Sequence, residues 1–244
     1  GQALLQAGEK STRAAQILSD GMARAWSIPV HYPDERLQAL ELYLDEAAPF
    51  IQQARQHVDS VQVDALPESI RPKVDEVRSA LVQGEASLND LRTLMDLGMM
   101  ILGHNEPRTY LFVFQNPSEL RPSGGFMGSM TEVVFDRGNM KSMRTPGGGP
   151  YDLRNQLTAR VLAPKPLQLL KEQWEFQDAN WFPDFALTAQ KIRWFWSKGG
   201  QPTLDGVIAV NASMLEKLLR ITGPIEIREF NKTVSADNVL AELQ

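Results

Sequence analysis

The hydrophobic positions of the first hundred residues repeat at helical spacing. The clearest series is Leu37, Leu40, Leu44, Ala47, Ile51, Ala54, Val58 and Val61, a sustained alternation of three- and four-residue steps that places one apolar seam along a helix. A second series runs through Val74, Val77, Leu81, Gly84, Leu88, Leu91, Met95, Gly98 and Leu102. An earlier helix is expected over about residues 2–27, with Leu4, Leu5, Ile17, Leu18, Met22 and Trp26 on its apolar face. Asp34 after Pro33 is the expected N-cap of the second helix, and Pro49 predicts a kink or break inside it. The proline-bearing stretches 29–33 and 67–72 separate three long helices, read as antiparallel hairpins. A 30-residue helix reaches roughly 45 Å, so this region suits either a lateral interaction surface or a helical layer against a second domain.

The periodicity changes at Gly103-His104-Asn105-Glu106-Pro107. After it come β-type runs at Thr109–Phe114, Ser129–Phe135, Gly206–Val210 and Ile225–Ile227, with a hairpin turn expected at Gly138-Asn139. Helical stretches are expected at about 164–174, 186–198 and 212–221, and another helix opens near Ser235 and is expected to continue beyond residue 244. The expectation is therefore a helical, coiled-coil-like region over 1–105 and an α/β domain over 106–244. The fold class is α+β or α/β: long helical hairpins followed by an α/β sandwich with a mixed central sheet.

Composition narrows the chemistry. The chain has 244 residues, 43% of them hydrophobic, and a formal net charge of −5, so a nucleic-acid partner is not expected. The charge is uneven: residues 108–171 hold 9 Lys+Arg against 4 Asp+Glu, which favours an anionic ligand there. No cysteine is present, which removes disulfides, thiolate metal sites and cysteine nucleophiles. His31, His57 and His104 lack metal-ligand spacing and read as surface residues. No hydrophobic stretch is as long as a membrane span, and no signal peptide is visible. Nucleophile-elbow, Walker and dinucleotide-binding motifs are also missing.

Three segments could carry chemistry. In Arg121-Pro122-Ser123-Gly124-Gly125-Phe126, the guanidinium offers a rigid fork of donors and adjacent glycines let backbone N–H groups approach an anion. Arg121, Gly124 and Gly125 are the anion-binding candidates, joined by Asn180. The competing reading is a turn whose arginine is ion-paired, to Glu119 or Asp184. In Asp178-Ala179-Asn180-Trp181-Phe182-Pro183-Asp184, Asp178 and Asp184 are hard oxygen ligands suited to Mg²⁺, although Asp184 also sits where it would cap the following helix. In Thr145-Pro146-Gly147-Gly148-Gly149-Pro150-Tyr151-Asp152, a mobile loop ends in an acid, Asp152, that could close over a substrate; a solvent-exposed linker is the other reading.

In order, Pro107–Asn116, Glu119–Phe126, Asp178–Asp184, Asp205–Val210 and Thr222-Gly223-Pro224 resemble bacterial domain-of-unknown-function family 4012. The resemblance covers about residues 100–244. It implies a cell-envelope protein on the extracytoplasmic face of the membrane, anchored by an upstream membrane helix. That family is in turn distantly similar to the LytR–CpsA–Psr phosphotransferases, which move glycopolymers from a polyprenyl-pyrophosphate carrier to the cell wall with arginines on the pyrophosphate and acids on a divalent metal. By that likeness Arg121, Asp152 and Asp184 become catalytic candidates, Asp178 and Asp184 ligands for Mg²⁺. The arginine–serine–aspartate–threonine motif of those enzymes is replaced here by Arg121-Pro122-Ser123-Gly124-Gly125. Two functions follow as expectations. One is an envelope protein whose anion pocket binds a glycan, a lipid-linked pyrophosphate or a protein partner, with the helical region available for homo-oligomer contacts. The other is a Mg²⁺-dependent phosphotransferase.

Overall fold

The computed structural model describes residues 1–154 and 156–242. The chain is α+β and divides into two compact units, one of residues 1–107 with the hairpin tip 135–139, the other of 108–134 and 140–244.

The first unit contains α1 (Gln2–Ser27), α2 (Pro33–Asp59) and α3 (Arg71–Ile101), with α2 packed against both neighbours. The expected α2 seam is the one that packs: Leu44, Ala47, Ala54 and Val58 are buried. In α3, Val74, Leu81 and Met95 are buried, whereas Val77 and Leu91 are exposed. The expected face of α1 is corrected more strongly. Its buried residues are Ala7, Ala14, Ile17, Gly21 and Ala25, while Leu5, Met22 and Trp26 are exposed. Small side chains let α1 and α2 approach closely, and a Cβ on Gly21 would lie 2.5 Å from Cβ of Tyr43. At the closest approach there is no room for a larger side chain, so Met22 and Trp26 stay outside, while Ile17 packs beside Ala14 and Ala47.

In α2 the expected cap fails, and of the kink or break expected at Pro49 the break does not form. The N-cap is Tyr32, with Pro33 in the first turn, because proline's fixed φ and missing N–H suit the first helical position. Asp34 is instead buried inside the first turn and lies 3.7 Å from Nδ1 of His104. That histidine is therefore no bare surface residue; its Nε2 meets the Gln38 amide at 2.9 Å. Pro49 does not end the helix, which is continuous from Pro33 to Asp59. Proline removes one ladder bond, but Ala47 and Ala54 are both fully buried on either side of it, so packing holds the two halves in one helix.

The second unit carries a four-stranded mixed sheet in the order β3-β2-β1-β4, built from β1 (Arg108–Asn116), β2 (Phe126–Asp136), β3 (Asn139–Arg144) and β4 (Gly206–Asn211). β1 and β4 are parallel, with Tyr110 opposite Gly206 and Gln115 opposite Asn211. Arg137 and Gly138 join β2 to β3 with φ of 50° and 76°, the two left-handed residues that a tight hairpin turn requires. The start of the parallel pair is pinned by Asp205, which accepts from the Thr109 N–H and from Arg108 Nη1, each at 2.7 Å.

Alternate residues of β1, Leu111 and Val113, enter the main core with Met127, Met130, Phe176, Ile192, Phe195 and Trp196. The last three belong to α4 (Phe185–Lys198). After β4 come α5 (Ala212–Thr222), a small antiparallel pair β5 (Ile225–Ile227) and β6 (Lys232–Val234), and α6 (Val239–Glu242). The helix expected over 164–174 is absent; only the 3₁₀ turn Leu167–Leu169 forms. Pro164 and Pro166 flank its start, and Ala163 and Trp174 pair back to Glu172 and Val161 instead. No described helix is long and apolar enough to cross a membrane.

Candidate functional site

The loop from Pro117 to Gly125 lies across the end of β1. The Asn116 side chain accepts the Ser118 N–H at 3.0 Å and starts the turn. Gly124 N–H then donates to the Arg121 carbonyl at 3.0 Å, and Phe126 N–H to that of Glu119 at 2.9 Å. The glycines serve close approach. Gly124 has φ +133°, and a Cβ there would lie 2.7 Å from Oε1 of Gln115. A Cβ on Gly125 would lie 2.2 Å from the Asn116 carbonyl oxygen, so only glycine lets the loop fold onto the strand end. The expected anion cradle is corrected to this extent: the Gly124 N–H is spent inside the turn.

The structure brings this loop against Asp178 and Asn180. Asn180 is fully buried, and its Nδ2 donates to the Gly125 carbonyl at 2.5 Å. Ser123 Oγ donates to the Asn180 carbonyl at 3.2 Å, and Gln115 Nε2 to Ser123 Oγ at 3.4 Å. Asn180 is thus a staple between two sequence-distant segments.

Arg121 places its guanidinium 5.0 Å from the centre of the Phe126 ring and 4.0 Å from Oδ1 of Asp178. Its ion partner is Asp178, neither Glu119 nor Asp184. Asp178 is held on its other oxygen by Lys171. Lys171 also reaches Glu175 at 2.9 Å, and Glu175 receives Arg154 at 2.5 Å and the Gln177 amide at 2.5 Å. Three cations, Arg121, Arg154 and Lys171, therefore surround two buried carboxylates, Glu175 and Asp178. Burial pushes the Glu175 carboxyl up, but the donors Lys171, Gln177 and Arg154 outweigh it and hold the group below its usual range. Burial likewise disfavours the Lys171 ammonium, and its hydrogen bonds to Asp178 and Glu175 reverse the effect and raise it. The sequence reading missed Lys171, Glu175 and Arg154. The four-residue step from Lys171 to Glu175, followed by Asp178, was the available signal.

The other two candidates stand apart from this cluster. Asp184 is the N-cap of α4, accepting from Ala186 N–H at 2.7 Å and Leu187 N–H at 3.4 Å. Asp152 accepts the Gly148 N–H at 3.1 Å. Gly149, Pro150 and Leu153 are buried in a 3₁₀ turn, while Thr145, Gly147, Gly148, Tyr151 and Asp152 are exposed. Asp152 lines a separate cavity of about 170 Å³ with Arg144 and Trp196. No described group of three or more acidic or histidine side chains could hold a metal ion.

Beside the Arg121 loop, at the carboxyl ends of the parallel strands β1 and β4, lies a groove of about 620 Å³. Phe114, Phe126, Val210, Leu215 and Leu240 supply its apolar lining. Gln115, Asn116, Ser118, Glu119, Ser129 and Asn211 supply polar atoms. Asn211 also caps α5, accepting the Met214 N–H at 3.1 Å. Strand carboxyl ends are where open sheets bearing helices commonly bind ligands, because the loops there diverge and leave a crevice.

The family profile described as "Protein of unknown function (DUF4012)" matches residues 105–244. The chain belongs to the DUF4012 family. No curated protein and no solved structure matches the chain. The matched DUF4012 segment holds every residue of the groove and of the ion cluster.

Proposed function

We propose that this DUF4012 domain binds an amphipathic anion, of the kind formed by a lipid-linked phosphate or pyrophosphate. The observation that carries the reading is the position of Phe126. Its ring lines the apolar groove, and the ring centre stands 5.0 Å from the Arg121 guanidinium. An apolar chain in the groove would be desolvated by Phe114, Val210 and Leu215 while its charged head met Arg121. The groove's size falls in the range of small-molecule sites, about 300–1,000 Å³. The excess of cations over carboxylates around Glu175 and Asp178, Arg121 among them, favours an anion beside Arg121. An extracytoplasmic place in the bacterial envelope, an upstream membrane anchor, and a glycan on the lipid or a protein as further partner belong to the same proposal.

The second reading is phosphotransfer in the manner of the LytR–CpsA–Psr enzymes, with Mg²⁺ on acidic residues. The meeting of Arg121 with Asp178 favours it. Against it, Asp178 is engaged by Lys171 and Arg121, Asp184 by the α4 backbone and Asp152 by the Gly148 N–H. Each would have to leave its partner to hold a metal or take a proton. Binding without catalysis requires no such rearrangement.

Titration calorimetry with farnesyl phosphate and farnesol tests the proposal. The phosphate is expected to bind about tenfold more tightly than the alcohol, the worth of one charge-assisted contact. Arg121→Gln is expected to erase that difference. Gly128, whose Cβ would meet nothing within 4 Å, borders the groove, and Gly128→Leu is expected to abolish both affinities without unfolding the chain. Equal affinities in the parent chain, or binding indifferent to Gly128→Leu, would overturn the reading. Mg²⁺-dependent transfer from a polyprenyl-pyrophosphate saccharide would establish the second reading instead.

A further inference from the structure

A different surface of the same unit carries a second set of ligand-binding features. On α4, Gln190 and Trp194 stand one turn apart and border two grooves, one on each side. The first, about 290 Å³, is lined by Phe182, Leu187, Gln190, Lys191 and Trp194. The second, about 350 Å³, adds Arg193, Ser197 and Thr203 to the shared pair, with Trp196, Pro202 and Leu204 beneath. Trp174 and Trp196 donate their indole N–H groups to the carbonyls of Asp178 and Pro202. The Trp194 N–H has no acceptor among the described residues. A half-buried indole with an unused donor is a typical anchor for a ligand that is apolar on one side and polar on the other.

Two cations stand on this ridge, one of them, Arg193, within electrostatic reach of Asp205. The Lys191 ammonium stands 4.9 Å from the Trp174 ring centre and 4.7 Å from that of Trp194. Two rings fix its position, so little side-chain entropy remains to be lost when it meets an anion. Arg193 is exposed on the other side of the same ridge. Neither groove is lined by an Asp or Glu.

We propose that the Gln190–Trp194 ridge binds an acidic oligosaccharide, with sugar rings in the two grooves and carboxylates at Lys191 and Arg193. A saccharide fits better than an acidic peptide for a specific reason. A peptide brings one backbone N–H per residue that needs an acceptor, and a buried donor left unpaired is costly. The ridge offers donors from Trp194, Lys191 and Arg193, and its acceptors are limited to Gln190, Ser197 and Thr203. Sugar hydroxyls and carboxylates accept from those donors and keep their own protons turned to water. The proposal is independent of the groove beside Arg121.

Calorimetry on the full chain with a uronic-acid tetrasaccharide, the neutral tetrasaccharide of the same linkage and a glutamate-rich peptide decides it. The acidic tetrasaccharide is expected to bind about tenfold more tightly than the other two, with affinity falling as salt rises. Lys191→Gln and Trp194→Ala are each expected to weaken it about five- to tenfold. Lys191→Gln alters an ammonium at the surface, so it serves if Trp194→Ala fails to fold. Gly128→Leu is expected to leave this binding unchanged, which separates it from the groove. No binding, equal binding of the peptide, or indifference to Lys191→Gln overturns the proposal.

Discussion

The side-chain amide of Asn180 donates to the carbonyl of Gly125 at 2.5 Å, in a site that excludes solvent from both residues. Fifty-five residues separate the pair in sequence. Asn180→Leu leaves the Gly125 carbonyl buried without a donor and is expected to cost about 1–3 kcal/mol. Urea unfolding of the two proteins measures it. An unchanged midpoint would show that the Arg121 loop is held by its glycine packing alone.

Gly125 and Gly128 make a contrasting pair. A Cβ on Gly125 meets the Asn116 carbonyl oxygen at 2.2 Å, and one on Gly128 meets nothing within 4 Å. Gly125→Ala is expected to destabilise by about 1–3 kcal/mol or more, since backbone must shift. Gly128→Ala is expected to change stability by less than about 0.5 kcal/mol. Thermal melts of both variants check the contrast.

The helical unit offers a second contrast. Gly21→Ala drives a methyl against Tyr43, whose Cβ lies 2.5 Å from the new atom, whereas Gly8→Ala meets nothing within 4 Å. Gly8→Ala is expected to stabilise by about 0.4–1 kcal/mol through reduced freedom of the unfolded chain. Gly21→Ala is expected to destabilise by about 1–3 kcal/mol, because overpacking exceeds the gain in propensity. Far-UV circular dichroism on heating reports both signs.

Acidification acts on the ion cluster. The Glu175 carboxyl is held below its usual value once its donors outweigh burial, and Asp205 is lowered in the same sense by the Thr109 N–H and Arg108. For a carboxyl lowered by folding, the stabilisation is complete above the unfolded value, near 4.5 for Glu and 3.8 for Asp, and is lost as pH falls through the folded value. Glu41 runs the other way: burial, followed by its contact with Asp96, raises it, so its contribution is largest at low pH and fades as pH rises past 4.5. Unfolding free energy measured from pH 7 down to pH 3 is expected to fall, and to fall less in Glu175→Gln.

Lys171 is the hub of the cluster. Lys171→Met leaves Asp178 and Glu175 buried with fewer counter-charges, and is expected to cost about 3 kcal/mol. The same change leaves Asp178 with Arg121 as its remaining cation, so Arg121 is less free to meet an anion and affinity for farnesyl phosphate is expected to fall as well. A stability loss with no change in affinity would confine Lys171 to a structural role.

Much of the fold was legible because periodicity is a local signal. The seam from Leu37 to Val61 repeats at helical spacing, and the continuous apolar run of Thr109–Phe114 marks a strand, in which burial then alternates. The face of α1 was misread because size was taken as the mark of a core position. Ala7, Ala14 and Gly21 are buried instead, since two helices approach more closely on small residues. The helix expected at 164–174 failed because Pro164 and Pro166 and the pairing of Val161 with Trp174 outweighed local propensity.

The sequence by itself determined the two-part organisation of helices followed by strands, the turn at Gly138 and the glycine turn of Arg121-Pro122-Ser123-Gly124-Gly125, and it offered the cap at Asp184 as one of two readings. Each is a property of neighbouring residues: hydrophobic period, permitted φ, or a side chain within reach of its own backbone. Only the tertiary structure decided what those residues meet. It paired Arg121 with Asp178, tied Gly125 to Asn180, joined Lys171 to Glu175 and Asp178, and opened a groove between Phe114, Phe126 and Leu215. Such contacts depend on which distant segments fold to the same strand end, and no local pattern records that distance.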